Sequence, residues 1–242
     1  MEGEIQGVSI VFLGNFVPSL ISPAWLRLHE LIGPEELKQA NVQVIIPPTS
    51  IFNVDWLGVN VTQQKLMLQT ALPQEFDRIR DVAVGILRSI EAPQVTALGI
   101  NTDMHWRAPD MDTYNNFGDV LVPKVFWSDF LTLPGTGTVA VRGIREDDWA
   151  GSIDVLIQPS NLLSPFGLYV RVNDHFVLKK VEEQPLSRED FWDPEIIGQS
   201  QLPALAPENV ELALEILGAE WGARRLFAEN TISALTRLSE TI

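Results

Sequence analysis

Strand-forming segments follow one another in this chain in pairs and short runs, and that order most constrains its fold. Neighbouring parallel strands need a crossover of a dozen or more residues between them, usually a helix. Here Trp56 to Val61 and Leu66 to about Gln69 are separated only by a turn at Gln63-Gln64. Thr138 to Arg142 and Ser152 to Gln158 also follow one another, and Leu168 to Val172 and Phe176 to Leu178 read as a hairpin around the turn dipeptide Asn173-Asp174. Strands that arrive in this way pair antiparallel rather than forming a doubly wound parallel sheet. The expected fold class is therefore α+β, with a mostly antiparallel sheet or sheets and amphipathic helices packed on one face.

The remaining elements fit around these strands. Val8 to Leu13 is rich in β-branched and large apolar residues and reads as a buried strand, and Val42 to Ile46 as a strand ended by Pro47-Pro48. Ser22-Pro23 opens a short helix with Trp25, Leu28, Leu31 and Ile32 on one stripe, ending near Gly33-Pro34. The clearest helix follows Pro73: Phe76, Ile79, Val82, Ala83, Ile86, Leu87 and Ile90 recur every three or four residues, with charged residues opposite. Ala92-Pro93 breaks it, and Val95 to about Trp106 reads as a strand. Residues 181–207 are interrupted by Pro185, Pro194, Gly198, Pro203 and Pro207. A helix is predicted from about Glu208 to Ala228, with Asn230 capping a last short one.

Gly58-Val59-Asn60-Val61 echoes Gly167-Leu168-Tyr169-Val170 ahead of the second predicted turn. The chain thus reads as two similar strand–helix–hairpin–helix halves, residues 1–92 and 93–242, which together can form one compact unit. The helix Gln74 to Ile90, the strand Val95 to Asn101 after it, and the terminal helix with Leu226-Phe227, Thr231 and Ile232 are similar in order to a sporadically distributed family of uncharacterised bacterial and archaeal α+β proteins. That resemblance implies the fold and a prokaryotic origin. The family has no established activity, so it implies no site residues.

Composition removes whole classes of chemistry. Cysteine is absent, which excludes disulfides, thiol nucleophiles and thiolate metal sites. With 17 basic against 32 acidic residues the formal charge is −15, and no cation surplus exists to release counterions from a phosphate backbone. Two glutamates stand where a signal peptide would carry positive charge. The run Val8 to Phe16 is about nine residues against the roughly 20 that span a bilayer. The expected location is cytoplasmic, away from membranes.

Few patterns point to catalysis. No serine has the flanking glycines of a nucleophile elbow. Gly135-Thr136-Gly137-Thr138 lacks a following lysine and precedes a strand, so it reads as a hairpin turn and not a phosphate cradle. Nothing in the sequence calls for a cofactor. The exception is Asn101-Thr102-Asp103-Met104-His105-Trp106. On a strand, Asn101, Asp103 and His105 share one face. Asp103 and His105 are therefore the candidate catalytic pair, the aspartate orienting the histidine as a base, and with Asp110 and Asp112 they are the candidate metal ligands. The same alternation also arises in any half-buried strand showing a polar face to water. His29 fits a helix C-terminus, where its charge suits the dipole, and His175 an exposed hairpin.

Aromatic residues in or beside loops carry the other reading. Trp127, Trp149, Phe191 and Trp192 are candidate binding residues, since large aromatics dominate interface hot spots. The function expected on this basis is a non-catalytic protein-binding or assembly protein, self-associating or engaging a basic protein partner, with nucleic acid disfavoured. The alternative is a metal- or His-dependent hydrolase-type enzyme around Asp103 and His105.

Overall fold

Alternation along two long central strands sets the architecture. The computed structural model describes residues 3–145, 147–180 and 208–241. In β6 (Gln94–Arg107), Leu98, Ile100, Met104 and Trp106 are buried on one side. In β9 (Gly167–Lys180), Leu168, Val170, Val172, Phe176 and Leu178 do the same. Around this pair the chain builds a nine-stranded sheet, every pairing antiparallel, in the order β2-β3-β4-β5-β1-β6-β9-β8-β7. The other strands are β1 (Ile5–Asn15), β2 (Asn41–Ile46), β3 (Thr49–Val54), β4 (Leu57–Thr62), β5 (Lys65–Thr70), β7 (Val139–Ile144) and β8 (Trp149–Pro159). The α+β antiparallel fold expected from the strand order is the fold observed.

The helices are α1 (Pro23–Leu28), α2 (Pro34–Lys38), α3 (Phe76–Ser89), α4 (Met111–Leu121), α5 (Glu208–Glu215) and α6 (Trp221–Thr241), with a π-helical turn, Ile216–Glu220, joining the last two. Leu26 of α1, the buried stripe of α3, and Val210 and Ala213 of α5 close one apolar cluster over Val8, Ile10, Phe12, Leu66 and Leu68. Phe117 of α4 with Ala228 and Ile232 of α6 close a second over Met104, Trp106, Val170 and Val172. All of these strand residues lie on one face, so these helices share that side, and among the described residues no helix covers the opposite face of the sheet.

The strand order repeats. In each half a long central strand pairs with the last strand of a meander: β1 with β5, then β4, β3 and β2; β6 with β9, then β8 and β7. The two runs meet at the β1–β6 pair, from Ile5 opposite His105 to Leu13 opposite Ala97.

Several sequence expectations are corrected. Pro47-Pro48 does not simply end a strand; it turns the chain into β3, which the proline-centred reading missed. Gly135-Thr136-Gly137 belongs to the connection from α4 to β7, with no strand before it, and is not a hairpin turn. Asn230 does not start a new helix, because α6 runs through it. Asn173-Asp174 is not a turn but the middle of β9; the hairpin turn lies at 160–166, between β8 and β9. The reason is electrostatic. Asp174 points to the helical side, between Val172 of the second cluster and Phe176 of the first. There the Arg145 guanidinium pairs with its carboxylate and lies 3.7 Å over the Phe176 ring. Asp147 binds Arg145 too, and Arg224 of α6 reaches Asp147 at 3.1 Å and Asp174 at 3.9 Å. A partnered aspartate is content in a strand, whereas an unpartnered one would favour a turn.

Candidate functional site

The face of β6 and β9 opposite the described helices carries the titratable groups. Asn101, Asp103 and His105 project there from β6, as their spacing predicts. Across the ladder they meet Asn173, Arg171 and Tyr169 of β9 respectively. On the other flank Asp103 faces Gly7 of β1. A β-carbon at Gly7 would stand 2.9 Å from both carboxylate oxygens of Asp103, so the missing side chain makes the slot in which that carboxyl lies.

His105 is buried, and its ring is fixed from two sides. Tyr169 packs against it with centroids 4.5 Å apart and planes inclined by 43°. Its Nδ1 is 2.8 Å from Ser160 Oγ, at the start of the β8–β9 turn. Ser160 Oγ in turn accepts hydrogen bonds from the backbone N–H of Leu162 at 3.1 Å and of Leu163 at 2.9 Å. Two N–H donors fill the hydroxyl's two acceptor positions, so the hydroxyl proton is assigned to His105 Nδ1. Burial lowers the His105 pKa below its ordinary value and holds the ring neutral near pH 7. A neutral imidazole facing a serine hydroxyl is the proton-accepting half of a nucleophile–base pair.

The neighbouring groups are tuned by the same burial. The Asp103 carboxyl is pushed up by desolvation, against the opposing pull of Arg171. Tyr169 is raised by desolvation and by the nearby Asp103 charge. Farther along the same face His175 is half-buried and lowered by desolvation, with the charges of Asp154, Arg142 and Arg145 acting on it. It is a strand residue, and the exposed-hairpin reading is corrected accordingly.

The remaining candidates disperse. Asp110 caps α4, accepting from the Thr113 N–H at 2.8 Å, and Asp112 is exposed in the first turn of the same helix. Among the described residues no three His, Asp or Glu side chains converge as a metal site, so Asp103, His105, Asp110 and Asp112 are not brought together. Trp127 is partly exposed in a short 3-10 turn, edge-on to Phe126. Trp149 is only 9% exposed and packs against Phe176, which makes it a core residue and not a surface anchor. Phe191 and Trp192 lie outside the described residues. His29 is the C-cap of α1 and packs on Trp25, as the capping reading expects.

Sequence reasoning missed Ser160, Tyr169 and Arg171. Tyr169 and Arg171 alternate on β9 in the way Asp103 and His105 do on β6, and reading β9 as one strand would have exposed them. Ser160 carries no local signal, because its partner is 55 residues away.

No family model matches the chain, and no curated protein matches it by sequence. Among solved structures it is similar to a rolling circle replication initiator protein from Geobacillus stearothermophilus, at 9% identity and a TM-score of 0.27, over 71% of this chain and 73% of that one. This finding corrects two expectations. The sequence pointed to a non-catalytic protein-binding or assembly role with nucleic acid disfavoured, whereas the neighbour found is a replication initiator. At that TM-score the likeness carries no argument about the activity of this chain, which has to come from its own side chains. No helix among the described residues is long and apolar enough to cross a membrane.

Proposed function

We propose that this protein is a hydrolase of the serine type, with Ser160 as nucleophile and His105 as general base. One observation carries the reading: Ser160 Oγ stands 2.8 Å from Nδ1 of a buried imidazole that is neutral near pH 7. Ser160 Oγ attacks the carbonyl carbon of an ester while its proton passes to His105 Nδ1. Collapse of the adduct expels the alcohol, which takes that proton from His105 and leaves an acyl-serine. Water then attacks with His105 again as base, releasing the acid and restoring the hydroxyl. The N–H groups of Leu162 and Leu163 favour the developing alkoxide, since donors to an anion strengthen as charge appears. Tyr169 supports the imidazole by packing against it, and Asp103 with Arg171 borders the pair one step along the strands.

The test is covalent labelling with diisopropyl fluorophosphate, read by intact mass. One adduct at Ser160 is expected, absent in Ser160→Ala and formed about 10²-fold or more slowly in His105→Gln. An unlabelled wild type, or a label that persists in Ser160→Ala, overturns the reading. Circular dichroism of both variants separates lost chemistry from lost fold.

A further inference from the structure

On the helical side, between α4, the connection 122–138 and the ends of β8 and β9, lies a cleft of about 440 Å³. That is within the roughly 300–1,000 Å³ typical of small-molecule sites. Its floor is apolar, with Phe117, Ile157 and Leu168 almost fully buried. Its rim carries Leu133, which is 93% exposed and has φ +52°. A leucine in the left-handed region is sterically disfavoured, and such positions cluster at ligand clamps. Exposure of the whole side chain compounds the cost, because nothing among the described residues covers it.

The charges in the cleft decide what can enter. Lys124 and Asp119 are the ionised side chains that line it, and they pair with each other at 2.7 Å. Lys124 also donates to the Val122 carbonyl at 2.9 Å and to Thr136 Oγ1, while Thr136 Oγ1 donates to the Gly118 carbonyl at 3.0 Å. The cation is therefore fully engaged inside the protein, and no uncompensated charge faces the cleft. An ionic ligand would have to break that pair or enter unpaired, which is costly over an apolar floor in a half-enclosed site. Hydrogen-bonding side chains also line the wall, among them Asn115 and Gln158, while the Ser128 hydroxyl donates to the Lys124 carbonyl at 3.1 Å.

We propose that this cleft is a binding site for an uncharged, mainly apolar small molecule, which the Leu133 side chain covers. The site is independent of the serine–histidine pair: Ser160 does not line it, and its test does not read hydrolysis.

The test uses two fluorescent probes with the same aromatic body. N-phenyl-1-naphthylamine is uncharged, and 8-anilinonaphthalene-1-sulfonate adds one negative charge. The uncharged probe is expected to bind saturably at one site per chain, and the sulfonate at least tenfold more weakly. Leu133→Ala should weaken the uncharged probe about tenfold or more, the loss expected when a large apolar side chain no longer covers it. Ser128→Trp, which fills the cleft from an exposed position, should abolish binding. Phe126→Ser, in the exposed aromatic turn beside the cleft, should leave binding unchanged. The proposal is overturned if no saturable binding occurs, if the sulfonate binds as tightly, or if Phe126→Ser removes the signal while Leu133→Ala and Ser128→Trp do not.

Discussion

The Arg145–Asp174 pair offers the sharpest test of how the two apolar clusters are joined. Both side chains are nearly sealed from water, at 1% and 3% exposure, and Arg145 is pinned further by Asp147 and by the face of Phe176. Removing one partner of a buried pair costs about 3–5 kcal/mol, because the surviving charge stays buried. Asp174→Asn should fall at the lower end, about 3 kcal/mol, since Arg145 keeps Asp147. For a chain of this size that corresponds to a fall in Tm of roughly 6–12 °C. Arg145→Met should cost about as much or more, as Asp147 and Asp174 both lose their closest cation. The double variant Arg145→Met/Asp174→Leu replaces the pair with apolar groups and should cost less than Arg145→Met and Asp174→Leu measured singly and added, by about 1–3 kcal/mol. Urea unfolding followed by tryptophan fluorescence measures all of these. Because the pair is buried, 0.5 M NaCl should leave the differences nearly unchanged. A cost for Asp174→Asn below about 1 kcal/mol, or strict additivity in the double variant, would refute the argument that this charge pair is desolvated and coupled.

Other consequences are simpler to state. Gly151 in β8 has φ +141°, and a β-carbon there would meet the His175 carbonyl oxygen at 2.0 Å; Gly151→Ala should cost about 3 kcal/mol in the same unfolding assay. Gly7→Ala should displace the Asp103 carboxyl, visible as a change in its titration by NMR while the circular dichroism spectrum is retained. His105 and His175 both have folded-state pKa values below the ordinary one, so the unfolded chain binds more protons. Their contribution to stability is full above about pH 6.5 and is lost as pH falls toward the folded values. The drop in Tm on going from pH 7.5 to pH 5.5 should therefore shrink in His175→Gln. Asp103 has the opposite sign, its pKa being raised, so Asp103→Asn should gain stability at neutral pH and lose that advantage near pH 3, where both states are protonated.

Elements whose signal is periodic and local were legible in the chain. The stripe from Phe76 to Leu87 is buried as read, and Asp103 and His105 share the face that alternation assigns them. Features fixed by distant partners were not. Asp174 is at home in a strand because of an arginine 29 residues away, and Ser160 matters because of a histidine 55 residues away. Trp149, read as a binding residue in or beside a loop, is buried because its strand brings it onto Phe176. Pro47-Pro48 misled for a related reason: proline stops a strand's ladder, but only the partner strand shows whether the chain then turns back.

A sheet whose described helices all lie on one side separates two sets of demands by a single residue. Along β6 and β9 the even positions answer to the helices, and the odd ones, Asp103, His105, Tyr169 and Arg171 among them, answer to the opposite face. In the first half the same open face carries Val11, Leu13 and Met67 instead. An altered specificity could thus be written into alternate positions of two strands without disturbing a core side chain. The arrangement has a matching fragility. A slip of one residue in the β6–β9 register would exchange the two sets at once, and the reactive groups would be lost in the same event as the packing.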